Sequence, residues 1–426
     1  MHQLTVFFNK TKIGILKLLP QSEDFSFEYD EKWKKNGFAL SPKMPLNNVF
    51  PNSHVKNFIA NLLPEGDGLE KLSEYLHISK ANKFALIREL GSETSGALIF
   101  TDGRVLEDTN FREIPIEELT HRIKQRKSIP IEVWENKPRL SVAGIQEKLP
   151  IAIINNKYGL ADGELASTHI LKFDKNENDN LVLNEYLSMH LARHAGLTVA
   201  NCEIKNFDGE LVLEVERFDR KLIKNEQVER TFVIDACQAL CVPVSFKYER
   251  NFGSGRDVRD LRGGISYTKL FSLIKECKVP ILAQKSMLEW TIINLCLGNS
   301  DAHGKNISFF KDNKGMSLTP FYDIVNVDLY KNDYDHSLAM AISDQFDIEG
   351  LRTYDFVEFC EEHDIKIKQF VNMFNAISKK IEKGFEEEDI NKLKNINEDF
   401  FNKYKDNVLN RINKLKNIVN ICLEYT

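Results

Sequence analysis

The chain has no long hydrophobic run. No segment contains about 18 consecutive apolar residues, the length that a membrane-spanning helix requires. The N-terminal residues also lack a basic start followed by an uninterrupted apolar stretch, so a secretory leader is not predicted. We therefore expect a cytoplasmic protein with no membrane partner.

An excess of positive charge and paired cysteines are also missing. The formal net charge of the 426 residues is −6, which argues against a broad basic surface for direct binding of nucleic acid. The seven cysteines are scattered and form no C-x-x-C motif, a pattern that favours reduced thiols over disulfides or a cysteine-bound zinc ion. The absence of a G-x-S-x-G motif argues against a serine hydrolase of that type.

The first 135 residues combine strand patterns with helical ones. Two β-rich apolar runs, at 4–8 and 13–18, predict a hairpin. A helix is predicted at 55–66, where apolar residues recur at helical spacing, and a returning strand at 95–100. The proline-containing polar stretch that follows predicts a domain boundary near residue 135.

The residues from 136 to 235 predict a mostly antiparallel sheet interrupted by one helix. The helix is predicted at 184–196, where apolar side chains recur at helical spacing before a glycine stop. Beyond residue 235 nearly every strong pattern is helical. The chain is therefore predicted to have an α+β fold with three parts, at 1–135, 136–235 and 236–426. The strands predicted in the second part are 148–155, 167–174, 198–207 and 211–220.

A short polar loop, GNSDAHGKN at 298–306, follows an apolar run that ends at Leu297. Asp301 and Asn306 have the D-x-x-x-x-N spacing of a phosphoryl-transfer loop, in which the aspartate accepts the proton of the attacking hydroxyl and the asparagine holds Mg²⁺. A second oxygen ligand is available at Asp323, 17 residues after Asn306. Each motif alone is also typical of a surface turn, but together they favour a metal site.

A kinase also needs a lysine on a strand, where it neutralises phosphates of the nucleotide. Lys172 in THILKF is flanked by apolar residues and fits this role, although a lysine on a half-exposed strand is an alternative interpretation. Glu185 is our candidate for its carboxylate partner, and the neighbouring Asn184 is interpreted as a possible helix cap. The segment RLSVAGIQEKLPI precedes this strand, but with Gly144 as its single glycine it is equally typical of an ordinary turn.

Many segments of the chain together resemble one known family, the HipA kinases, which are serine/threonine kinases that act as toxins in bacterial two-gene toxin–antitoxin systems. The resemblance implies a protein-kinase-like bilobal core, with an antiparallel-sheet N-lobe and an all-helical C-lobe, preceded by an N-terminal α/β subdomain. The matching segments occur in the order of the family between about residues 1 and 330. They are NLLPEG, LGSETSGAL, SVAGIQEK, THILKF, NEYLSMHLARHAGL, VERFDR, DACQAL, GNSDAHGKN and LTPFYDI.

The family resemblance also implies roles for individual residues. Ser141 corresponds to an autophosphorylation site that shuts the kinase off by displacing its phosphate-binding loop. Val233 stands where many family members have a glutamine that contacts the nucleotide, so the affinity for ATP is in question. The implied ATP-binding residues are Val142, Ala143, Gly144, Ile145, Gln146, Glu147, Lys148, Lys172, Glu216 and Phe218; the implied catalytic base is Asp301, and the implied magnesium ligands are Asn306 and Asp323.

The partners implied by the resemblance are ATP, Mg²⁺, a protein substrate and a helix-turn-helix antitoxin of the HipB type that contacts DNA. The substrate class would be an aminoacyl-tRNA synthetase or another translation component, and its phosphorylation would arrest growth. Two alternatives stay open, a small-molecule kinase of the aminoglycoside-phosphotransferase type and an inactive nucleotide-binding partner of a DNA-bound antitoxin. The N-terminal domain and the VAGIQEK loop argue against the first, and the retained catalytic residues argue against the second.

Overall fold

The computed structural model describes most of the chain and divides it into two compact units. Unit 1 consists of Met1–Val182, Asn201–Val244 and Phe309–Lys314, and unit 2 of Leu183–Ala200, Ser245–Ser308 and Gly315–Thr426. Among the described residues, no helix has the length and apolar character needed to cross a membrane. The described residues are 2–19, 24–91, 94, 96–103, 110–131, 133–135, 137–139, 146–163, 165–176, 179–223, 227–330 and 336–426.

The N-terminal part of unit 1 contains a four-stranded antiparallel sheet. Its strand order is β3-β2-β1-β4, and the β1–β2 pair confirms the predicted hairpin. Leu4 and Val6, alternate residues of β1, are buried together with Ile13 and Leu16 of β2. The elements are β1 (Gln3–Phe8), β2 (Thr11–Leu19), β3 (Asp24–Tyr29), α1 (Glu31–Asn36), α2 (Asn52–Ala60), α3 (Gly66–Leu76), α4 (Lys83–Glu89) and β4 (Leu98–Thr101). The predicted helix 55–66 therefore starts and ends earlier, as α2.

A second, six-stranded antiparallel sheet follows, in the order β11-β12-β10-β8-β9-β5. It contains the four predicted strands, shifted at their ends, and two strands that were not predicted, β5 and β9. The turn before β9 consists of Asn155 and Asn156, both with positive φ, which is the geometry of a tight hairpin turn. The elements are β5 (Asn110–Glu113), α5 (Ile116–Lys124), β6 (Val133–Trp134), β7 (Lys137–Pro138), β8 (Lys148–Ile154), β9 (Lys157–Asp162), β10 (His169–Phe173), α6 (Leu181–Ala195), β11 (Cys202–Phe207) and β12 (Glu210–Glu216).

The core of unit 1 lies between this sheet and α5. Leu149 and Leu171 from the central strands pack with Leu119 and Ile123 from the helix, and all four are fully buried. Three short strands and a helix complete the unit. They are β13 (Arg220–Leu222), β14 (Val228–Arg230), β15 (Val233–Asp235) and α7 (Ala236–Leu240).

Unit 2 is mainly helical, as the sequence predicts. Its longest apolar helix, α9, packs against α11 and α13 and is buried around most of its circumference, which explains its nearly continuous run of apolar residues. Several short strands also occur after residue 300, in a region where nearly every strong sequence pattern is helical. One of them, β16 (Ser308–Asp312), pairs with β15 and belongs to unit 1 from Phe309 onward. Beyond residue 245 the elements of unit 2 are α8 (Tyr267–Ile274), α9 (Pro280–Leu297), β17 (Gly315–Leu318), β18 (Ser337–Ile342), β19 (Gln345–Asp347), α10 (Thr353–Glu362), α11 (Ile367–Gly384), α12 (Glu388–Asn391) and α13 (Glu398–Ile421).

Candidate active site

The predicted catalytic loop begins where α9 ends. Gly298 terminates the helix in the left-handed region, with a φ of +76°, and its N–H donates to the carbonyl of Asn294. The loop then turns through a short 3-10 segment, Gly304–Asn306. Asn306 is buried, whereas Asp301 is half-buried. A helix stop followed by a tight turn therefore places one carboxylate at the edge of the loop and the asparagine amide inside it.

Asp301 accepts a hydrogen bond from a tyrosine that the sequence did not indicate. The hydroxyl of Tyr248 lies 2.6 Å from Oδ1 of Asp301. An ionised carboxylate can only accept, so the phenol is the donor. The ring of Tyr248 also meets the buried ring of His303 edge to face, with 5.1 Å between the ring centroids. The proposed base is thus held by a residue from a distant part of unit 2.

The segments that carry the two proposed magnesium ligands are joined by hydrogen bonds. The hydroxyl of Tyr322, next to Asp323, donates to the carbonyl of Lys305, next to Asn306, over 2.8 Å. The same hydroxyl lies 2.7 Å from the Ser308 hydroxyl. Asn306 and Asp323 are 17 positions apart in the chain. The hydrogen bond between the residues that precede them, Lys305 and Tyr322, holds their two segments together.

The ligand types at these positions suit magnesium. An amide oxygen from Asn306 and a carboxylate from Asp323 are hard oxygen donors, and Mg²⁺ in phosphoryl-transfer sites takes one or two protein ligands together with phosphate oxygens and water. Asp323 has a φ of +60°, a conformation that aspartate adopts more readily than most residues. The backbone at Asp323 is thus turned in a way that the sequence pattern did not predict.

The chain after Asp323 is held by Asn184, which corrects our interpretation of that residue as a helix cap. Helix α6 begins at Leu181, so Asn184 lies inside its first turn and is fully buried. Its amide donates to the carbonyl of Asn326 over 3.0 Å and accepts from the N–H of Asn326 over 2.7 Å. Asn184 therefore fixes the backbone three residues after Asp323.

Helix α13 holds the same segment from within unit 2. Arg411 forms a 2.5 Å ion pair with Asp328, and both side chains are buried. Asn407 donates to Asp328 over 2.6 Å and accepts from the side chain of Asn326 over 2.9 Å. Nothing in the sequence pattern around Asn407 or Arg411 indicates these contacts. The two side chains reach Asp328 only because α13 packs against α9.

In unit 1, Lys172 lies where the prediction requires it. It is on β10, a central strand of the six-stranded sheet, and only 6% of it is exposed, so the interpretation as a lysine on a half-exposed strand is wrong. Lys172 is directly opposite Lys148 on β8, which is also buried. Two like charges directly opposite each other are unfavourable in a sheet unless negative charge lies nearby, which a carboxylate or a bound anion can supply.

The chain that enters β8 is tied to the end of β10. The side chain of Gln146 donates to the carbonyl of Phe173 over 3.0 Å, and the carbonyl of Glu147 accepts from the N–H of Phe173 over 3.2 Å. The Glu147 carboxylate also lies 3.5 Å from the ammonium of Lys71. Five further predicted site residues, Ser141, Val142, Ala143, Gly144 and Ile145, lie outside the described residues.

The predicted adenine-binding segment begins at Glu216, the last residue of β12. Glu216 exchanges two hydrogen bonds with Asn201, from its N–H to the Asn201 carbonyl and from the Asn201 amide to its carboxylate, each over 2.9 Å. Phe218 packs edge to face on Phe310 at 5.9 Å between ring centroids. Val233, at the position of the family glutamine, is half-buried on β15. The predicted nucleotide-binding residues that the structure describes therefore all lie in unit 1. The predicted pairing of Lys172 with Glu185, a residue of unit 2, stays a prediction.

Two family models match most of the chain. The HipA N-terminal domain matches residues 4–101, and the HipA-like C-terminal domain matches residues 140–385. The chain belongs to the HipA family. All of the predicted site residues, from Ser141 to Asp323, lie within the second match.

Two curated relatives align with most of this HipA-family chain. The serine/threonine-protein kinase toxin HipA of Shewanella oneidensis is 44% identical over 377 residues, which cover 88% of this chain and 86% of the relative. The protein Y4mE of Sinorhizobium fredii is 31% identical over 347 residues, which cover 78% of this chain and 80% of the relative.

A solved structure resembles the fold closely. The complex of Shewanella oneidensis HipA, HipB and operator DNA matches with a TM-score of 0.88 and 40% identity, covering 98% of this chain and 99% of that one. The predicted fold class, a kinase-like α+β protein of the HipA type, is thereby confirmed. The chain is a serine/threonine-protein kinase of the HipA family.

Proposed function

We propose that this HipA-family kinase transfers the γ-phosphoryl group of Mg-ATP to a serine or threonine hydroxyl of a protein. The observation that supports the proposal most directly is the bonding of the Asn306 and Asp323 segments through Tyr322, in the same loop system as Asp301. A small-molecule kinase or an inactive binding protein would share some of these residues. The match to the N-terminal and the C-terminal HipA family models argues against the small-molecule kinase. The presence of Asp301, Asn306 and Asp323 argues against the inactive partner.

The roles of the residues follow from their chemistry. Asp301 accepts the proton of the attacking hydroxyl, whose oxygen bonds to the γ-phosphorus as the bond to ADP breaks. A Mg²⁺ ion held by Asn306 and Asp323 would neutralise charge on the phosphate oxygens. Lys172 binds the phosphates, and Lys148 lies directly opposite it on the neighbouring strand.

The remaining predicted residues complete the ATP site. Gln146 and Glu147 anchor the base of the phosphate-binding loop, whose members Val142, Ala143, Gly144 and Ile145 cover the nucleotide. Backbone groups of Glu216 and Phe218 contact the adenine. The support for these roles is the family match together with the rigid attachment of Gln146 and Glu216 to neighbouring strands.

We propose that Ser141 is the site of an inhibitory autophosphorylation. A phosphate there adds about −1.5 to −2 charges next to a pocket that binds the anionic phosphates of ATP. Repulsion between the two sets of charge disfavours the closed loop, so ATP binds less tightly. Wild-type protein that carries phosphate on Ser141 yet binds ATP as tightly as Ser141→Ala would contradict this switch.

The proposed biological role is that of a cytoplasmic toxin neutralised by an antitoxin of the HipB type. The support is the composition of the similar complex, in which HipA occurs with HipB and operator DNA. Contact of this chain with DNA would then be indirect. The proposed substrate is a translation component of the aminoacyl-tRNA synthetase class, and its phosphorylation arrests growth. The division of the chain at residues 135 and 235 also stays a proposal.

Intact-mass measurement with and without Mg-ATP tests the proposed function. Wild-type protein is expected to gain about 80 Da, the mass of one phosphoryl group, and peptide mapping is expected to assign it to Ser141. Asp301→Asn, which removes the proton acceptor, is expected to gain nothing. Asp389→Asn on the exposed surface of α12 is the matched control and is expected to behave as wild type. Transfer by Asp301→Asn at the wild-type rate would refute the assignment of the base.

A further inference from the structure

Tyr248 has no role in the family pattern or in the proposed mechanism, yet its hydroxyl lies 2.6 Å from the proposed catalytic base. The contact joins residues 53 positions apart in the chain. It occupies Oδ1 of Asp301, one of two carboxylate oxygens that can each accept a proton or a hydrogen bond. The second oxygen, Oδ2, keeps both of its lone pairs for a substrate hydroxyl.

The backbone on both sides of Tyr248 is fixed by the segment that follows it in unit 2. The N–H of Gly264 donates to the carbonyl of Glu249 over 3.0 Å, and the N–H of Ile265 donates to the carbonyl of Phe246 over 2.8 Å. A Cβ on Gly264 would lie 1.7 Å from the carbonyl oxygen of Tyr248. Only glycine permits this close approach, so the two segments are tightly packed.

One residue of β18, Ala339, links the backbone next to Tyr248 to the backbone next to Asp301. The backbone of Ala339 on β18 accepts from the N–H of Glu249 over 2.9 Å and donates to the carbonyl of Ser300 over 2.8 Å. Glu249 follows Tyr248, and Ser300 precedes Asp301. The same residue therefore sets the separation between the backbones that carry the donor and the acceptor.

The buried carboxylate of Glu249 adds further hydrogen bonds between the Tyr248 segment and its neighbours. Glu249 is 2% exposed, and its two oxygens accept from the N–H of Ala341 over 2.9 Å and from Nε of Arg262 over 2.7 Å. The ring of Tyr248 itself packs against His303, with the ammonium of Lys247 at 5.2 Å from the ring centroid. Tyr248 is thus held at its backbone, at its neighbour and at its ring.

We infer that Tyr248 is a positioning residue for catalysis, which fixes the rotamer of Asp301 through Oδ1 and presents Oδ2 to the substrate hydroxyl. This role rests on the proposed function of Asp301 as the base. A carboxylate that rotates freely spends less time in the geometry that proton transfer needs, and small misplacements of catalytic groups are costly. The opposite role, a phenol that blocks Asp301 until a substrate displaces it, predicts the opposite sign of effect.

Steady-state kinetics of Tyr248→Phe separate the two roles. The substitution removes the hydroxyl and keeps the ring against His303. We expect kcat to fall by about 10- to 100-fold, while KM for ATP stays the same, because the lost contact orients the base and does not bind the nucleotide. An unchanged or increased kcat in an active wild-type background would overturn the inference.

Tyr158→Phe on β9 is the matched control. Its hydroxyl also makes one hydrogen bond to a carboxylate, 2.7 Å to Glu214, and Tyr158 lies in unit 1 outside the predicted site residues. Any general loss from deleting a tyrosine hydroxyl affects this variant too. We expect it to keep the wild-type kcat, and a loss equal to that of Tyr248→Phe would contradict a specific role for Tyr248.

A double-mutant cycle on unfolding tests the contact without any turnover. Tyr248→Phe is expected to lower the urea midpoint of the wild-type protein but to leave that of Asp301→Ala unchanged, because the partner is already absent. Equal shifts in both backgrounds would overturn the contact. If the wild type transfers no phosphoryl group but the cycle shows coupling, the proposed function fails and the Tyr248–Asp301 contact stands.

Discussion

At the scale of single residues, Asp219 shows how a buried charge is stabilised in unit 1. Burial alone raises the pKa of its carboxyl, but the guanidinium groups of Arg217 and Arg220 outweigh that effect and lower the pKa to about 2. Arg217 binds the carboxylate with two hydrogen bonds of 3.0 and 2.9 Å, and Arg220 adds a third. This cluster directly follows Glu216 and includes the residue on either side of Phe218, so it stiffens the proposed adenine-binding segment.

Removing this carboxylate has a predictable dependence on pH. At pH 7 we expect Asp219→Asn to lower the free energy of unfolding by about 3–5 kcal/mol, because two buried arginines lose their counter-charge. The folded-state pKa lies below the unfolded one, so the stability that Asp219 contributes is present above about pH 4 and is lost as the pH falls toward 2. The difference between variant and wild type should therefore shrink over that range.

Urea unfolding at pH 7 and at several values down to pH 3 measures this difference. The control is Asp208→Asn, whose carboxylate pairs with Lys124 on the exposed surface, where solvent screens the ion pair, so its loss should change the stability little at any pH. A loss for Asp219→Asn that is constant with pH would show that shape, rather than charge, holds the segment.

At the scale of elements, α13 extends the active-site framework beyond the part of the chain that the family models cover. The second model ends at residue 385, whereas Asn407 and Arg411 lie on α13 at Glu398–Ile421. Gly298, at the end of α9, accepts from the N–H groups of Val327 and Asp328 over 3.1 and 3.3 Å. The segment after Asp323 is therefore held between the start of the catalytic loop and the C-terminal helix.

Arg411→Met tests the contribution of this helix. We expect the free energy of unfolding to fall by about 3–5 kcal/mol, because the buried carboxylate of Asp328 loses its ion pair. Lys414→Met, one turn along the same helix, removes an exposed ion pair with Glu349 and should cost less than about 1 kcal/mol.

Thermal and urea unfolding of both α13 variants provide the measurement. Equal losses for the buried and the exposed position would contradict a specific clamp by Arg411. Phosphoryl transfer by Arg411→Met is also expected to decrease, because the segment that carries Asp323 is no longer fixed at both ends.

At the scale of the whole molecule, all seven cysteines are free and buried. Burial raises the pKa of the thiols of Cys296 and Cys360 to about 12 and those of Cys241, Cys277 and Cys422 to about 11. The thiolate is the reactive form of cysteine, and it is scarce at neutral pH when the pKa is this high.

Alkylation should therefore report the integrity of the fold. Native protein treated with iodoacetamide at about pH 7.5 is expected to remain unlabelled, whereas protein unfolded in guanidinium chloride should take up seven groups. Mass spectrometry of both samples distinguishes the states. Rapid labelling of the native protein at any of the five thiols with raised pKa would contradict their burial.

The local sequence determined the secondary structure, the catalytic loop and the strand lysine. Hydrophobic spacing and turn residues act between near neighbours, so the first hairpin, helix α6 and the strands around Lys172 were predictable with errors at their ends. The D-x-x-x-x-N spacing likewise depends only on adjacent positions. The strand β9 was missed because the Asn155–Asn156 turn resembles the end of a strand, and Asn184 was misread because the helix begins three residues earlier.

Only the tertiary structure decided which distant residues complete the site. Tyr248 reaches Asp301 because the backbones of the adjacent residues, Glu249 and Ser300, both bind Ala339. Arg411 reaches Asp328 because α13 packs against α9. The left-handed backbone of Asp323 likewise has no local signature, since the sequence around it reads as an ordinary apolar segment. Such contacts depend on how elements pack, and packing is set by many weak interactions between residues far apart in the chain rather than by the spacing of any one motif.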